Sequence, residues 1–232
     1  MSFQWVFDNA ADISMVRRPI VSQTTSRDQR IRTVSRGGNI WRFTVTMPKG
    51  LRWQENSSNI AQVDDYGILK SDYVNMSRAA FNYIMGYKGQ ITNNLNLVQF
   101  HGTPGSDIAT LSSVSNVGIP DSAYIFRAGD FIQPFATGTD GTDPTQNGHV
   151  YSIAQDYKVS DLPLNGDHTR GSSLSVRLNR PYLGEFGTAT SNTHIGSNVM
   201  WKVICTSCPT WTISPGGLVS WSGPFQFAES LL

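Results

Sequence analysis

The sequence predicts a mainly β protein with one flanking helix and an inserted small β-barrel-like module. Trp41, Phe43, Val45 and Met47 alternate strictly with Arg42, Thr44 and Thr46, the period-two pattern of a strand with one buried face. From Tyr124 to Phe227, short apolar runs recur between turn-forming residues, as in a sandwich or barrel. Only Ser71 to Met85 carries apolar residues at helical spacing.

Taken in chain order, the first thirty residues mix apolar and polar positions irregularly, and Arg18-Pro19 disfavours helix there. An extended arm leading into a strand is expected. Gly37-Gly38-Asn39 supplies the positive φ angles of a tight reversal and makes residues 34–48 a predicted hairpin. Pro48-Lys49-Gly50 reads as a turn before Leu51-Arg52-Trp53. The helix over 71–85 has Ser71, Asp72 or Asn75 as N-cap, an apolar face of Met76, Ala80, Phe81, Ile84 and Met85, and Gly86 or Gly89 as its stop. It is expected to lie across the sheet. Ile91–Phe100 reads as a strand, and the Gly/Pro/Ser-rich passage from His101 to Pro120 reads as a linker. Tyr124–Phe126, Phe131-Ile132, His149–Ile153 and Leu174–Leu178 are short strands of the inserted module, and Asn198–Ile204 and Leu218–Phe227 return as strong strands. The expected division is a discontinuous main domain, 1–105 plus 196–232, around an insert of 106–195.

Composition points to assembly. Charged residues make up 15% of the 232 against about 25% in typical domains, and Gly, Ser, Thr, Asn and Gln take their place. Polar surfaces with few charges favour association. The net charge is +1, but Arg17 to Arg52 holds nine cations and one acid, a sector of +8 that leaves −7 for the remainder. So polarised a chain binds nucleic acid or sets its basic sector against the acidic sector of an identical neighbour. Near-neutrality and the dominance of arginine, whose fork suits bidentate carboxylate pairing, favour the neighbour. The candidate subunit-interface residues are Arg17, Arg18, Arg30, Arg32, Arg36 and Arg42. The competing reading is a solvated basic face.

Little else suggests chemistry. Met1–Trp5 lacks the basic and apolar regions of a secretory leader, and no apolar run approaches the ~18 residues of a membrane helix. Two cysteines cannot staple a fold of this size, so a reducing compartment is the default. Cys205-Thr206-Ser207-Cys208 is half a zinc motif without its other half. His101, His149, His168 and His194 read as loop histidines, and Asp64-Asp65 and Asp140/Asp143 as solvated acids. Nucleophile-elbow, Walker and dinucleotide signatures are missing. No catalytic residue, cofactor or metal ligand is therefore expected, and the chain reads as a non-enzyme. Trp53 and Trp211 look loop-proximal and motivate an alternative, a carbohydrate-binding host-recognition module.

Several stretches resemble tail structural proteins of tailed bacteriophages, of the tube-like kind found at the distal tail and baseplate. They are Ser2–Ala10, Arg17-Arg18-Pro19, Arg32–Gly38 through Trp41-Arg42-Phe43, Ala128–Gln133, Asn179-Arg180-Pro181, Cys208–Trp211 and Ser222–Phe227. The resemblance implies a tail-tube-like β-sandwich or split barrel in a virion tail component, a tube initiator or distal tail protein, made in the host cytoplasm. Its implied partners are identical subunits in a hexameric ring, neighbouring tail and baseplate proteins, and genomic DNA passing through the lumen, with no membrane insertion. It implies no catalytic residues.

Overall fold

The computed structural model describes residues 3–25, 31–68, 70–76, 98–114, 119–139, 141–165 and 170–231. Among the described residues strands dominate, and two α-helices accompany them. The chain divides into two compact units, Met1–Val74 with Lys202–Leu232 and Asn75–Trp201. The sequence places those boundaries at 105/106 and 195/196. The observed ones differ because residues 99–102 form a strand inside the sheet of the second unit.

Unit 1 opens with α1 (Gln4–Asp8) where an extended arm is predicted. This single turn forms around Phe3 and Phe7, both buried. Phe3 meets Phe227 edge-on at 5.1 Å, and Phe7 lies 4.9 Å from the same ring. The Phe3 N–H donates to the buried Asp72 carboxylate at 3.0 Å, which satisfies that acid.

β1 (Asp12–Thr25) and β2 (Ile31–Thr46) pair antiparallel from Asp12↔Thr46 to Thr25↔Ile31. The reversal therefore lies between residues 25 and 31, not at Gly37-Gly38-Asn39. Those glycines sit inside β2 at a register shift. Pro19 faces Asn39 and Val21 faces Ser35, so Arg36, Gly37 and Gly38 together oppose Ile20. Glycine marks a bulge as readily as a turn, and Pro19 is tolerated because β1 is the outermost strand. The predicted alternation holds beyond the bulge: Trp41, Phe43, Val45 and Met47 are buried, whereas Arg42 and Thr46 are exposed.

After β3 (Leu51–Arg52) comes α2 (Trp53–Tyr66), which the sequence reading missed. It buries only Ile60 and Val63 and ends at Gly67, whose φ of +67° suits glycine. The helix predicted over 71–85 is instead strand β4 (Ser71–Asn75) where it is described, and 77–85 lie outside the described residues.

Unit 2 contains β5 (Gln99–Gly102), β6 (Ile108–Ser112), β7 (Tyr124–Phe126), β8 (Phe131–Phe135), β9 (Tyr151–Ser152), β10 (Tyr157–Lys158), β11 (Leu174–Arg177) and β12 (Ser191–Ile195). Six of these form one sheet in the order β11-β6-β5-β12-β8-β9, and β7 pairs with β10. β5 and β6 are a hairpin turning at Gly105, φ +84°, so the predicted linker from His101 to Pro120 contains the end of β5 and all of β6. Phe100, Leu111, Phe126, Ile132, Tyr151 and Val176 lie at its core. The Tyr151 hydroxyl donates to Glu185 at 2.9 Å and accepts from the Leu183 N–H, and burial pushes its pKa well up.

β13 (Met200–Ser207), β14 (Trp211–Ile213), β15 (Leu218–Trp221) and β16 (Phe225–Glu229) bring the chain back to unit 1. A five-stranded sheet runs β1-β2-β16-β13-β4, and a smaller one runs β14-β15-β3. The rings of Trp53 and Trp211 stack on one another at 4.9 Å and 25°, and the Trp211 indole donates to Asp64 at 2.8 Å. The pair thereby fastens the small sheet to α2.

His101 and His194 lie in strands of the unit 2 sheet, contrary to the loop expectation, whereas His149 lies in the loop just before β9. His101 lies in β5 between the Ser112 and Thr190 hydroxyls. His149 lies 4.0 Å from the Glu185 carboxylate. His168 is outside the described residues. His194 is buried in β12, flat against Phe135 at 4.2 Å, with Nε2 3.1 Å from the Gly141 carbonyl. Burial lowers the His194 pKa despite that bond. The unfolded chain then binds the extra proton below pH ~6.5, so unit 2 should lose stability as the pH falls through that value and below. Urea midpoints at pH 7.5 and 5.5 should differ less for His194→Gln, which keeps a donor without titrating. Gly141 has φ +70°, and a Cβ there would overlap the His194 ring. Gly141→Ala should therefore cost roughly 2 kcal/mol or more in the same measurement.

Candidate assembly interface

The structural basis of the site is the length of the β1–β2 ribbon. β16 reaches only residues 42–45 of β2, through Phe225↔Val45 to Ala228↔Arg42. Beyond Val16↔Arg42 the ribbon continues to Thr25 on one arm and back from Ile31 on the other, with no third strand among the described residues. At ~3.3 Å per residue, that is on the order of 25–30 Å of two-stranded sheet. A two-stranded ribbon on its own is marginal in water, and the edges of such a ribbon are templates for further strands.

Strand pairing decides which arginines meet. Val16 faces Arg42 and Arg18 follows two residues along β1, so Arg18 and Arg42 stand on the same outer face. Together with Val16, Thr44, Thr206 and Gln226 they line a groove of ≈240 Å³. Both guanidinium-bearing residues are exposed, and neither forms an ion pair among the described residues. Val16 is itself 44% exposed, apolar surface beside two charges. Arg17 points the other way, its guanidinium 5.6 Å from the centre of the Trp41 ring. Arg30 and the side chains of Arg32 and Arg36 lie outside the described residues; the backbone of Arg32 and Arg36 belongs to β2. Thr44, Thr206 and Gln226 were not singled out in the sequence, although the alternation of β2 puts Thr44 beside Arg42.

A second groove belongs to unit 2. It measures ≈630 Å³ and runs along β11, the outermost strand of the six-stranded sheet, between Ser173-Leu174-Ser175 and the acids Asp156 and Asp161. It is not legible along the chain, since the acids are five residues apart in a chain whose acids are scattered.

The remaining candidates are structural. Asp143 caps a single 3-10 turn, accepting from the Thr145 N–H at 2.9 Å and its hydroxyl at 2.7 Å. Cys205 is buried in β13, and a hydrogen bond to the half-buried Cys208, together with burial, pushes its thiol up. Among the described residues, no three His, Cys, Asp or Glu side chains converge as metal ligands, and no helix is long and apolar enough to cross a membrane. No protein-family model matches the chain, and no curated protein matches it either.

Proposed function

We propose that the chain is a structural component of a bacteriophage tail or baseplate, assembling as a ring that continues or ends the tube through which DNA leaves. The observation that carries this reading is the overextended β1–β2 ribbon, which no third strand joins beyond Arg42 among the described residues, with six arginines against one acid between Arg17 and Arg36. Such a ribbon gains most of its stability when neighbouring chains supply the missing strands, and a ring of identical subunits provides them head to tail without leaving an open edge. The charge division supports the same arrangement: by sequence, unit 1 carries +3 and unit 2 carries −2. Catalysis has no part in this reading. The resemblance of the quoted stretches to tail proteins supplies the virion setting, the six-fold symmetry and the adjoining tail proteins as partners.

Mass spectrometry and immunogold labelling of purified particles of the phage encoding this chain test the setting. The expected result is a fixed, small copy number confined to the tail. Absence from the particles contradicts the reading.

A further inference from the structure

We infer that the Arg18–Arg42 groove of one copy takes the acidic groove of another, with Asp156 and Asp161 as its carboxylate partners. The inference rests on the assembly reading above and deepens it by naming the face on each side. On the basic side, two exposed arginines share one face of a rigid sheet, flanked by hydroxyl and amide groups and by exposed Val16. Arginine forks bind carboxylates bidentately, and a fixed pair of them selects a fixed pair of acids.

On the acidic side, each carboxylate is already oriented by one oxygen. Asp156 Oδ1 accepts from the Ala128 N–H at 2.9 Å, and Asp161 Oδ2 accepts from the Lys158 N–H at 2.7 Å. Each keeps its second oxygen for another donor, and neither is in an ion pair among the described residues. Other acids of unit 2 are committed: Asp121 pairs with Arg170 at 2.8 Å and Asp107 with Arg177 at 3.3 Å. Arg170 lies close enough to Asp161 to be stabilised by it, but its fork is bound to Asp121.

The backbone adds a second feature. Leu178 donates inward to Asp107, whereas Arg177 turns its N–H to the Tyr157 hydroxyl and its carbonyl to Ala154. Antiparallel pairing alternates these directions, so Ser175 turns its N–H and carbonyl outward into the groove, as Arg177 does. The acidic groove thus offers the outward backbone groups of Ser175 beside two charges, which suits an incoming sheet with exposed cations better than a flexible peptide or a smooth duplex.

The test uses the full-length chain in three forms: wild type, Arg18→Glu/Arg42→Glu, and Asp156→Arg/Asp161→Arg. Sedimentation velocity at micromolar concentration reads assembly, and circular dichroism reads folding. Each double variant should raise the dissociation constant at least about tenfold. Their equimolar mixture should reassemble, because every contact in an alternating ring is again between opposite charges. Asp161 also caps a local turn, so Asp156→Asn/Asp161→Asn, which keeps the accepting oxygens, serves where the arginine variant misfolds and should weaken assembly in the same direction.

If the aspartate variants assemble like wild type while the arginine variant does not, the acidic groove is not the partner, although the ring reading stands. If both assemble normally and only the arginine variant loses binding to a duplex oligonucleotide, the occupant is a phosphate backbone and the inference is overturned. A wild-type chain that stays monomeric overturns it as well. Its failure is separable from that of the tail setting, which the particle analysis decides.

Discussion

Excising residues 21–35 should abolish assembly and leave unit 1 folded. The deletion joins Ile20 to Arg36 and leaves Ile20-Arg36-Gly37-Gly38 between the paired residues Pro19 and Asn39. That is a four-residue hairpin loop with two glycines where positive φ is needed. The part of β2 that pairs with β16, residues 42–45, is untouched. If the ribbon supplies the strand pairing between copies, its loss should weaken association by at least about 4 kcal/mol, roughly a thousandfold in dissociation constant. Size-exclusion chromatography with light scattering reads the assembly, and thermal melting reads the fold. A shortened chain that assembles normally removes the ribbon from the interface.

Phe227→Ala should be the most destabilising single truncation in unit 1. Its ring is 1% exposed and touches Phe3 at 5.1 Å, Phe7 at 4.9 Å and Phe225 at 6.2 Å, so three rings depend on one. Phe227 also sits opposite Phe43 across the β2–β16 ladder. Large-to-small changes at such sites cost about 3–5 kcal/mol, a large share of the ~5–15 kcal/mol that holds a typical domain. Urea unfolding followed by tryptophan fluorescence should show a markedly lower midpoint. An unchanged midpoint would mean that α1 and Phe3 do not close the core as described.

What the sequence revealed depended on how strongly burial shaped the local pattern. β2 was legible from Trp41 to Met47 because one face is core and the other solvent, which imposes period two. α2 was not, because only Ile60 and Val63 of its fourteen residues are buried, and Ser57, Ser58 and Asn59 mask its period. The predicted helix began too early because Asp72, Val74 and Met76, buried residues of a strand and its end, run into apolar positions at a spacing that also fits a helix. Glycine misled twice: Gly37-Gly38 mark a bulge instead of a turn, and Gly105 turns a hairpin inside what looked like a linker.

The candidate interface was half legible. A basic sector can be counted along a chain, but that Arg18 joins Arg42 while Arg17 faces Trp41 follows from strand register. Asp156 and Asp161 become neighbours of β11 only through the fold of unit 2.

The central claim is that the chain completes its ribbon with copies of itself. Native mass spectrometry of the purified full-length protein, with negative-stain microscopy of the same sample, tests it most directly. The account predicts a single closed oligomer, a whole-number multiple of 25.6 kDa, seen end-on as a ring and dissociating as salt rises. A monomer at every concentration and ionic strength would contradict it.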